Sequence, residues 1–413
     1  MIDKVTKHKY YYGSEVYGEI YDWKRIFKLY KSLKIPDTCW TVPEEALQSK
    51  YVIGLSARSV AKTTNVLLLG LCQRAIYDTT VVYVRATEGE FTPSEAKKLT
   101  SVIATYDGGR YVKQLTDNKY NTIYYKNRAF YYAYRNEDGD MVEKDEEECI
   151  KVVTVDRWIE YKSTLNLPKG DFFLFDEFIR DHYDMDEFVH FCDLFKTIAR
   201  DRMSPVIFMT ANTISTTSPY YAELEIKTYL RKMKSGEHIS IETEKGTKIY
   251  VEMIQLKKKA QEKRSFFNSL FLGFKNDKLG AITGGQLWAL PNVPHIYRRE
   301  EDDIPEYHIR NLYLNNHGEY LRCDVVTDKK TGTHLEVVPT ESWKIKDDGI
   351  ILTLDIPEDP RERYLLGGKK RKIRRVLLQF INDGKVFYAT NSEGVLFKNF
   401  INSALVLERN PIA

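Results

Sequence analysis

Short apolar runs separated by small or polar residues dominate the first half of the chain. Four of these runs predict buried strands, at residues 51–53, 81–85, 171–175 and 206–210. A loop of small residues follows the first run, and an apolar helix is predicted over about residues 62–77. A second helix, over about residues 186–202, places apolar side chains on one face and ends before Pro205. Strands that alternate with helices in this way predict an α/β domain built on a parallel sheet.

The segments around this pattern predict the domain organisation. Residues 1–48 form an aromatic extension with one helix over residues 22–33, and residues 107–155 form a hairpin insertion with a turn at residues 136–139. We expect this α/β domain to span residues 1–220 and a charged linker to span 221–264. A smaller α+β domain is expected over 265–413. Its strand-like segments are 281–290, 307–314, 320–326, 334–338, 349–354 and 373–380, followed by a helix near residues 392–401.

The amino-acid composition gives little information about the binding partners and the cellular location of the protein. The 413 residues carry a net charge of +3, so the overall charge neither demands nor excludes a polyanionic partner. The five cysteines lie far apart in no metal-binding spacing, which is typical of reduced thiols in a cytosolic protein. Residues 66–72, the longest strongly apolar run, are too few to cross a bilayer. We therefore expect a soluble, cytoplasmic protein.

The loop after the first strand has the spacing of a phosphate-binding loop. The P-loop pattern is Gly-x4-Gly-Lys-[Ser/Thr], and the chain has Ser56-x4-Ala61-Lys62-Thr63, with small residues in place of both glycines. The expected nucleotide-binding residues are Ser56, Ala57, Arg58, Ser59, Val60, Ala61, Lys62, Thr63 and Thr64. Lys62 would reach the β- and γ-phosphates, and Thr63 would bind Mg²⁺. Alone, the loop also fits an ordinary turn between a strand and a helix.

Two acids end the third predicted strand. Asp176 is expected to bind Mg²⁺, and Glu177 to polarise the water that attacks the γ-phosphate. The alternative is a strand that simply ends in charged loop residues. The fourth strand ends in Thr210-Ala-Asn212, and Thr210 or Asn212 would hold the attacking water or couple the γ-phosphate to motion elsewhere. Because the carboxyl ends of parallel strands share one sheet edge, these residues are expected to meet there.

The loop, the acidic pair and Thr210-Ala-Asn212 together resemble the ATPase domain of terminase-type DNA-packaging proteins of tailed phages, with particular likeness to phi29-type encapsidation proteins. The resemblance covers about residues 48–215. It implies an additional-strand (ASCE) P-loop ATPase that uses ATP and Mg²⁺ to move double-stranded DNA into a procapsid. It also implies a homo-oligomeric ring, a pentamer in the phi29-type proteins, on the portal or connector. The protein would then act in the host cytoplasm, transiently on the procapsid.

The resemblance also suggests roles for three arginines. Arg58 would sense the γ-phosphate within its own subunit. Arg200 or Arg202, at the end of the second helix, would act on the γ-phosphate of a neighbouring subunit. The alternative is that both are surface residues stabilised by the dipole at the end of the helix.

For the second domain, the resemblance implies an RNase H-like fold. Asp324 and Asp355 are the only acids we single out as nuclease candidates, and a non-catalytic domain is the favoured reading because no third acid stands out. A basic cluster after two glycines suggests a hairpin tip that contacts nucleic-acid phosphates; its residues are Lys369, Lys370, Arg371, Lys372, Arg374 and Arg375. Residues 257–264 are a weaker candidate of the same kind.

Three other functions remain open at this point. The chain could be another ASCE nucleic-acid motor, such as a helicase or translocase. It could be a non-hydrolysing module that binds nucleic acid or a scaffold, since its loop lacks both glycines. It could also be a nuclease through Asp324 and Asp355.

Overall fold

The computed structural model describes residues 8–12, 15–56, 60–180, 183, 186–200, 202, 204–212, 218–230, 232–255, 293–299, 303–316, 318–354, 357, 359–364 and 371–409. At residues 8–12, 15–20, 90, 371, 372, 374 and 405–409 it describes the backbone alone.

The first two-thirds of the chain build one large sheet. A separate antiparallel hairpin precedes it, β1 (His8–Tyr12) with β2 (Glu15–Ile20). The strands of the large sheet are β3 (Tyr51–Ser56), β4 (Thr80–Arg85), β5 (Thr122–Lys126), β6 (Ala129–Arg135), β7 (Met141–Lys144), β8 (Ile150–Thr154), β9 (Gly170–Asp176), β10 (Val206–Asn212), β11 (His238–Glu242) and β12 (Lys248–Met253). Their order is β11-β12-β3-β10-β9-β4-β8-β6-β5, with β7 beside β6.

The central six strands, from β12 to β8, run parallel to one another. Antiparallel strands extend the sheet at both edges. The predicted α/β class is confirmed. The strand order places β10 between β3 and β9, so the three predicted functional strands are direct neighbours.

Helices cover both faces of this sheet. They are α1 (Trp23–Ser32), α2 (Lys62–Tyr77), α3 (Pro93–Thr105), α4 (Arg110–Leu115), α5 (Trp158–Thr164), α6 (Glu187–Ala199), α7 (Pro219–Glu223) and α8 (Lys227–Leu230). One core lies under α1 and α2, and a second lies under α6 and α7. At Gly70, α2 comes so close to the sheet that an added Cβ would lie 2.8 Å from the Phe172 ring. The helix that carries Lys62 is thereby held rigidly on the sheet.

The structure departs from the predicted linker at residues 238–253. This segment forms β11 and β12, and β12 pairs in parallel with β3, the strand of the phosphate loop. Whereas β12 buries Ile249, Tyr250 and Val251 in succession, apolar and polar residues alternate along β11, His238-Ile-Ser-Ile-Glu242. Ser, Thr and charged residues hid that period when only composition was considered. The first sheet therefore continues beyond residue 220. The predicted hairpin insertion likewise becomes β5–β7, a three-stranded extension of the same sheet.

The C-terminal part of the chain builds a second sheet, in the order β17-β16-β13-β14-β15-β18. Its elements are β13 (Glu306–Asn316), β14 (Glu319–Asp328), β15 (Gly332–Thr340), β16 (Ile350–Thr353), β17 (Glu362–Tyr364), α9 (Arg371–Asn382), β18 (Val386–Tyr388) and α10 (Asn391–Arg409). Residues of α9 and α10 pack on one face of this sheet. The two parts of the chain meet at an ion pair, in which Lys227 Nζ lies 2.6 Å from Glu319 Oε1.

One element of this second part contradicts the sequence analysis. Residues 373–380 were expected to form a strand and lie instead in α9. The apolar residues Ile373, Val376, Leu377, Phe380 and Ile381 follow the 3–1–3–1 spacing of a helix face, which overrides their β-branched and aromatic character. The predicted strand at residues 281–290 lies outside the described residues.

All five cysteines are free thiols, and burial raises the pKa of Cys72, Cys149 and Cys323. Among the described residues, no helix is both long enough and apolar enough to span a membrane.

Candidate nucleotide site

The carboxyl ends of β3, β10 and β9 bring the predicted residues together. Asn212 of β10 is in register with Ser56 of β3, and Thr210 is in register with Asp176 of β9. The sheet edge thus presents a hydroxyl, an amide and a carboxylate side by side. This is the edge at which α/β proteins bind their ligands.

Lys62 begins α2 directly above this edge. Its side chain is only 8% exposed, so an ammonium charge is held almost out of water. Its Nζ donates to Ser56 Oγ at 2.6 Å and to Asn212 Oδ1 at 3.3 Å. The ammonium is therefore oriented by neutral oxygens beside the N-terminus of α2. A cation and a helix N-terminus at one point form a favourable place for a phosphate group.

Asp176 is the centre of a hydrogen-bond network. Its Oδ1 accepts from Thr63 Oγ1 at 2.9 Å and from Thr210 Oγ1 at 2.6 Å. Its Oδ2 accepts from the Tyr83 hydroxyl at 2.9 Å, and a terminal nitrogen of Arg85 lies 3.7 Å away. Three strands and one helix thus fix a single buried carboxylate.

The residues fit a magnesium ion. Mg²⁺ prefers hydroxyl, carboxylate and water oxygens at about 2.0–2.1 Å, which places neighbouring ligand oxygens about 2.9 Å apart. Thr63 Oγ1 and Asp176 Oδ1 already lie 2.9 Å apart. Thr63 and Asp176 are therefore the residues that would hold Mg²⁺ at this site.

Glu177 follows Asp176 in a left-handed turn, with φ of 55°. Its backbone N–H donates to the carbonyl oxygen of Thr210 at 2.7 Å, which ties the turn to β10. Its side chain is 49% exposed, and its Oε2 forms an ion pair with Arg85 at 2.9 Å. The two neighbouring acids therefore have different environments: Asp176 is buried and fixed, whereas Glu177 faces the cleft.

Tyr83 and Arg85 were missed by the sequence analysis. Both lie on β4, which was predicted as a strand, but nothing in the sequence states that β4 lies next to β9. Val84 is in register with Phe175, and the following residue, Arg85, therefore sits beside Asp176. A basic residue that ends a predicted parallel strand was the available signal.

Between Ser56 and Lys62, the described part of the loop consists of Val60 and Ala61. Ala61 has φ of 60°, the left-handed conformation for which glycine is suited, and it occupies the position of the second P-loop glycine. The carbonyl of Val60 accepts from the backbone N–H of Trp40 at 3.1 Å, which anchors the loop to the N-terminal segment. The predicted residues Ala57, Arg58 and Ser59 lie outside the described residues.

A cleft of about 450 Å³ opens between the loop and the two acids. Its lining residues are Val60, Ala61, Lys62, Thr63, Thr64, Asp176, Glu177, Ala211 and Asn212. The predicted loop, acidic pair and β10 residues thus line one shared cavity. A buried cation, a helix N-terminus and a carboxylate–hydroxyl pair are a chemical arrangement suited to a metal-bound polyphosphate.

The two candidate arginines differ in their surroundings. Arg202 donates through Nε to Asp171 Oδ1 at 2.7 Å and through Nη2 to the carbonyl of Gly170 at 2.9 Å. Asp171 lies at the start of β9, about 16 Å along the strand from Asp176 at 3.3 Å per residue. These contacts give Arg202 a structural role at the sheet edge opposite the cleft. They do not support its predicted catalytic role. Arg200 is exposed, and its role in a neighbouring subunit stays a prediction.

The predicted nucleic-acid cluster is only partly described. Lys369 and Lys370 lie outside the described residues, and Arg371, Lys372 and Arg374 are described as backbone of α9. Arg375 is exposed on the same helix. Four of the six cluster residues therefore lie on a helix and not at the predicted hairpin tip.

The nuclease candidates gain no support as a pair. Asp324 is 1% exposed and accepts from Arg322 Nε at 3.0 Å, while burial raises its pKa. Asp355 lies outside the described residues. A separate group, Asp328, His334 and Glu336, has donor atoms within 4.8 Å of one another. Arg299 already places its guanidinium against Asp328 and Glu336, so the charge of this group is offset by the protein itself.

Comparisons with known proteins identify structural relatives. No family model and no curated protein sequence matches the chain. Among solved structures, a chain of the Phi-28 gp11 DNA packaging motor is similar, with a TM-score of 0.53 and 17% identity over 89% of this chain and 98% of its own. A chain of the bacteriophage Phi-29 viral genome packaging motor assembly gives a TM-score of 0.51 and 16% identity, over 90% of this chain and 99% of its own.

A third solved structure is the N-terminal domain of the phi29 DNA packaging ATPase. It covers 51% of this chain and 94% of its own, at 18% identity and a TM-score of 0.38. The conclusion rests on the first two structures. At such identities, structural similarity establishes the fold. The chain therefore shares its overall fold, across both sheets, with chains of phage DNA-packaging motors.

Proposed function

We propose that this protein is the ATP-hydrolysing motor that moves double-stranded DNA into a viral procapsid. The observation that carries the proposal is the shared cleft, in which Lys62 and Thr63 at the start of one helix face Asp176 and Glu177 at the end of a separate strand. The overall fold shared with packaging-motor chains supports the same reading.

In this proposal, the triphosphate of ATP lies along the N-terminus of α2. The Lys62 ammonium, held by Ser56 and Asn212, neutralises the β- and γ-phosphates. Residues Ser56 to Thr64 would provide the phosphate loop, and Thr63 and Asp176 would hold Mg²⁺. When bound, Mg²⁺ draws charge from the phosphate oxygens and so stabilises the transition state.

Glu177 acts as the general base. Its carboxylate faces the cleft at the end of the turn after β9, next to the buried Asp176. It takes a proton from the attacking water while that water's oxygen bonds to the γ-phosphorus and the bond to the ADP oxygen breaks. Arg85 sets the position of the carboxylate through its 2.9 Å ion pair. The expected arginine at the γ-phosphate, Arg58 of the same subunit or Arg200 of a neighbouring subunit, is not among the contacts described above.

Coupling to DNA movement runs through β10. Thr210 bonds Asp176 with its hydroxyl and the Glu177 backbone with its carbonyl, and Asn212 bonds Lys62. Loss of the γ-phosphate changes the charge facing all five residues at once. The chain that follows β10 leads to α8, where Lys227 contacts Glu319 of the second sheet. This path joins the cleft to the C-terminal part.

The partners belong to the proposal as well. A ring of identical subunits, a pentamer as the sequence resemblance implies, would sit on the portal and grip the DNA backbone without reading bases. The basic residues of α9 are candidates for that grip. The C-terminal sheet has β13–β15 antiparallel and β16 and β17 parallel to β13, which supports a nuclease-like fold, and we propose that this part is not catalytic.

The deciding experiment compares Mg²⁺-dependent phosphate release by the wild type and by Glu177→Gln. We expect the wild type to hydrolyse ATP faster when duplex DNA is added, without separating the DNA strands. We expect Glu177→Gln to release phosphate at least about 100-fold more slowly than the wild type. Glu146→Gln, a change at an exposed acid away from the cleft, is the matched control and should match the wild type. Equal slow rates in all three proteins would instead identify a module that does not hydrolyse ATP. DNA strand separation would identify a helicase.

A further inference from the structure

Tyr83 is a buried tyrosine whose hydroxyl bonds Asp176, a residue of the proposed metal site. It lies on β4 with 3% of its surface exposed, and its ring packs against Phe91 at a centroid distance of 5.7 Å. The hydroxyl donates to Asp176 Oδ2 at 2.9 Å. The phenol O–H is therefore the donor and the carboxylate the acceptor in this buried contact.

The two oxygens of Asp176 are used differently. Oδ1 faces Thr63 and Thr210, on the side of the cleft, at 2.9 and 2.6 Å. Oδ2 faces Tyr83 on the side of the core. A carboxylate bonded on one oxygen only can rotate about its last torsion, which has a broad and shallow energy profile. Tyr83 makes the short bond to Oδ2, whereas the nearest Arg85 nitrogen lies 3.7 Å from it, so the phenol is the main restraint that keeps Oδ1 facing the cleft.

A second buried tyrosine shows that this sheet does not need to pair a phenol. Tyr132 on β6 is 4% exposed, and its hydroxyl has no hydrogen-bond partner among the described residues. Burial alone therefore does not account for the Tyr83 contact. Tyr132 is also the natural control for loss of a buried hydroxyl from this fold.

We propose that Tyr83 is a positioning residue that aligns Asp176 for a divalent cation bound together with a nucleoside diphosphate or triphosphate. The proposal rests on the proposed ATP site and deepens it. Tyr83 does not touch the nucleotide; it acts through Asp176. Groups that orient metal ligands in this way typically change metal affinity by about 10–100-fold when they are removed.

The test is the affinity of the full-length protein for Mn²⁺ in the presence of ADP, followed by electron paramagnetic resonance of the free ion. We expect Tyr83→Phe to bind Mn²⁺ at least about tenfold more weakly and Tyr132→Phe to bind like the wild type. The Mg²⁺ concentration for half-maximal phosphate release should rise by the same factor in Tyr83→Phe. The rate at saturating Mg²⁺ should stay within about threefold, because Glu177 and Lys62 are intact.

Two results would overturn the inference. Tyr83→Phe with wild-type Mn²⁺ affinity, whatever its thermal stability, would show that the hydroxyl has a purely structural role. Failure of the wild type itself to bind Mn²⁺ and ADP would remove the proposed ATP site, and the role of Tyr83 with it. These outcomes are distinct, because the first leaves the wild-type binding curve in place.

Discussion

Replacing Arg202 by methionine should unfold the first sheet domain at a much lower temperature. Arg202 donates to Asp171 and to the carbonyls of Gly170 and Ile198, at 2.7, 2.9 and 3.0 Å. Asp171 is only 1% exposed, so methionine would take the guanidinium away from a buried carboxylate that Ser204 and Tyr21 still bond. Breaking a buried ion pair in this way costs about 3–5 kcal/mol. For a domain of this size, that loss corresponds to a fall in Tm of roughly 6–20 °C.

The measurement is thermal and urea unfolding of the wild type, Arg202→Met and Arg200→Met. Arg200 is the matched control: it lies two positions earlier and is exposed, so its loss should change the free energy of unfolding by less than about 0.5 kcal/mol. Adding Asp171→Asn to Arg202→Met removes the stranded charge and should recover part of the loss, a coupling of about 0.5–3 kcal/mol. Arg202→Met with wild-type stability and no phosphate release would refute the structural role and restore the catalytic one.

Three further predictions concern the core and the sheet edge. Gly70→Ala should destabilise the fold by about 1–3 kcal/mol in urea unfolding, despite better helix propensity, because the added methyl meets the Phe172 ring; unchanged stability would contradict the close packing. Gln73→Leu should stabilise it by about 1–2 kcal/mol in the same assay, since both amide atoms are buried without a partner among the described residues, and a loss of stability would imply a hidden partner. Burial raises the pKa of Glu252, bonded by Trp40, above its ordinary 4.5. The stability that protonated Glu252 contributes to the folded state is therefore fully present below pH 4.5, and it is lost as the pH rises through the raised pKa. Glu252→Gln should flatten this pH dependence in thermal unfolding from pH 4 to 7, and an unchanged profile would argue against the raised pKa.

The parts of the site that lie along one strand or one helix could be predicted from the sequence. Lys62 and Thr63 follow a strand and begin a helix, and Asp176 and Glu177 end a strand, so local pattern and position were sufficient to place them at one sheet edge. The structure brings them into one cleft. Whether they hydrolyse ATP stays a prediction.

The parts that depend on which strands are neighbours could not be predicted. Tyr83 and Arg85 reach Asp176 only because β4 lies beside β9, and no local pattern encodes that adjacency. The same holds for β12, whose partner β3 is about 200 positions earlier in the chain. For α9, by contrast, the helical spacing of the apolar residues was present in the sequence. The strand prediction was wrong because it relied on residue type instead of on that spacing.

The pairing of β12 with β3 has a mechanical consequence. The backbone N–H of Ile254 donates to the carbonyl of Leu55 at 2.7 Å, so the chain departs for the C-terminal half from the residue next to Ser56. A shift of the loop strand would therefore act directly on Ile254, after which the chain continues toward the second sheet. In the motor proposed above, the strand nearest the nucleotide would then also be the strand that transmits force to the rest of the chain.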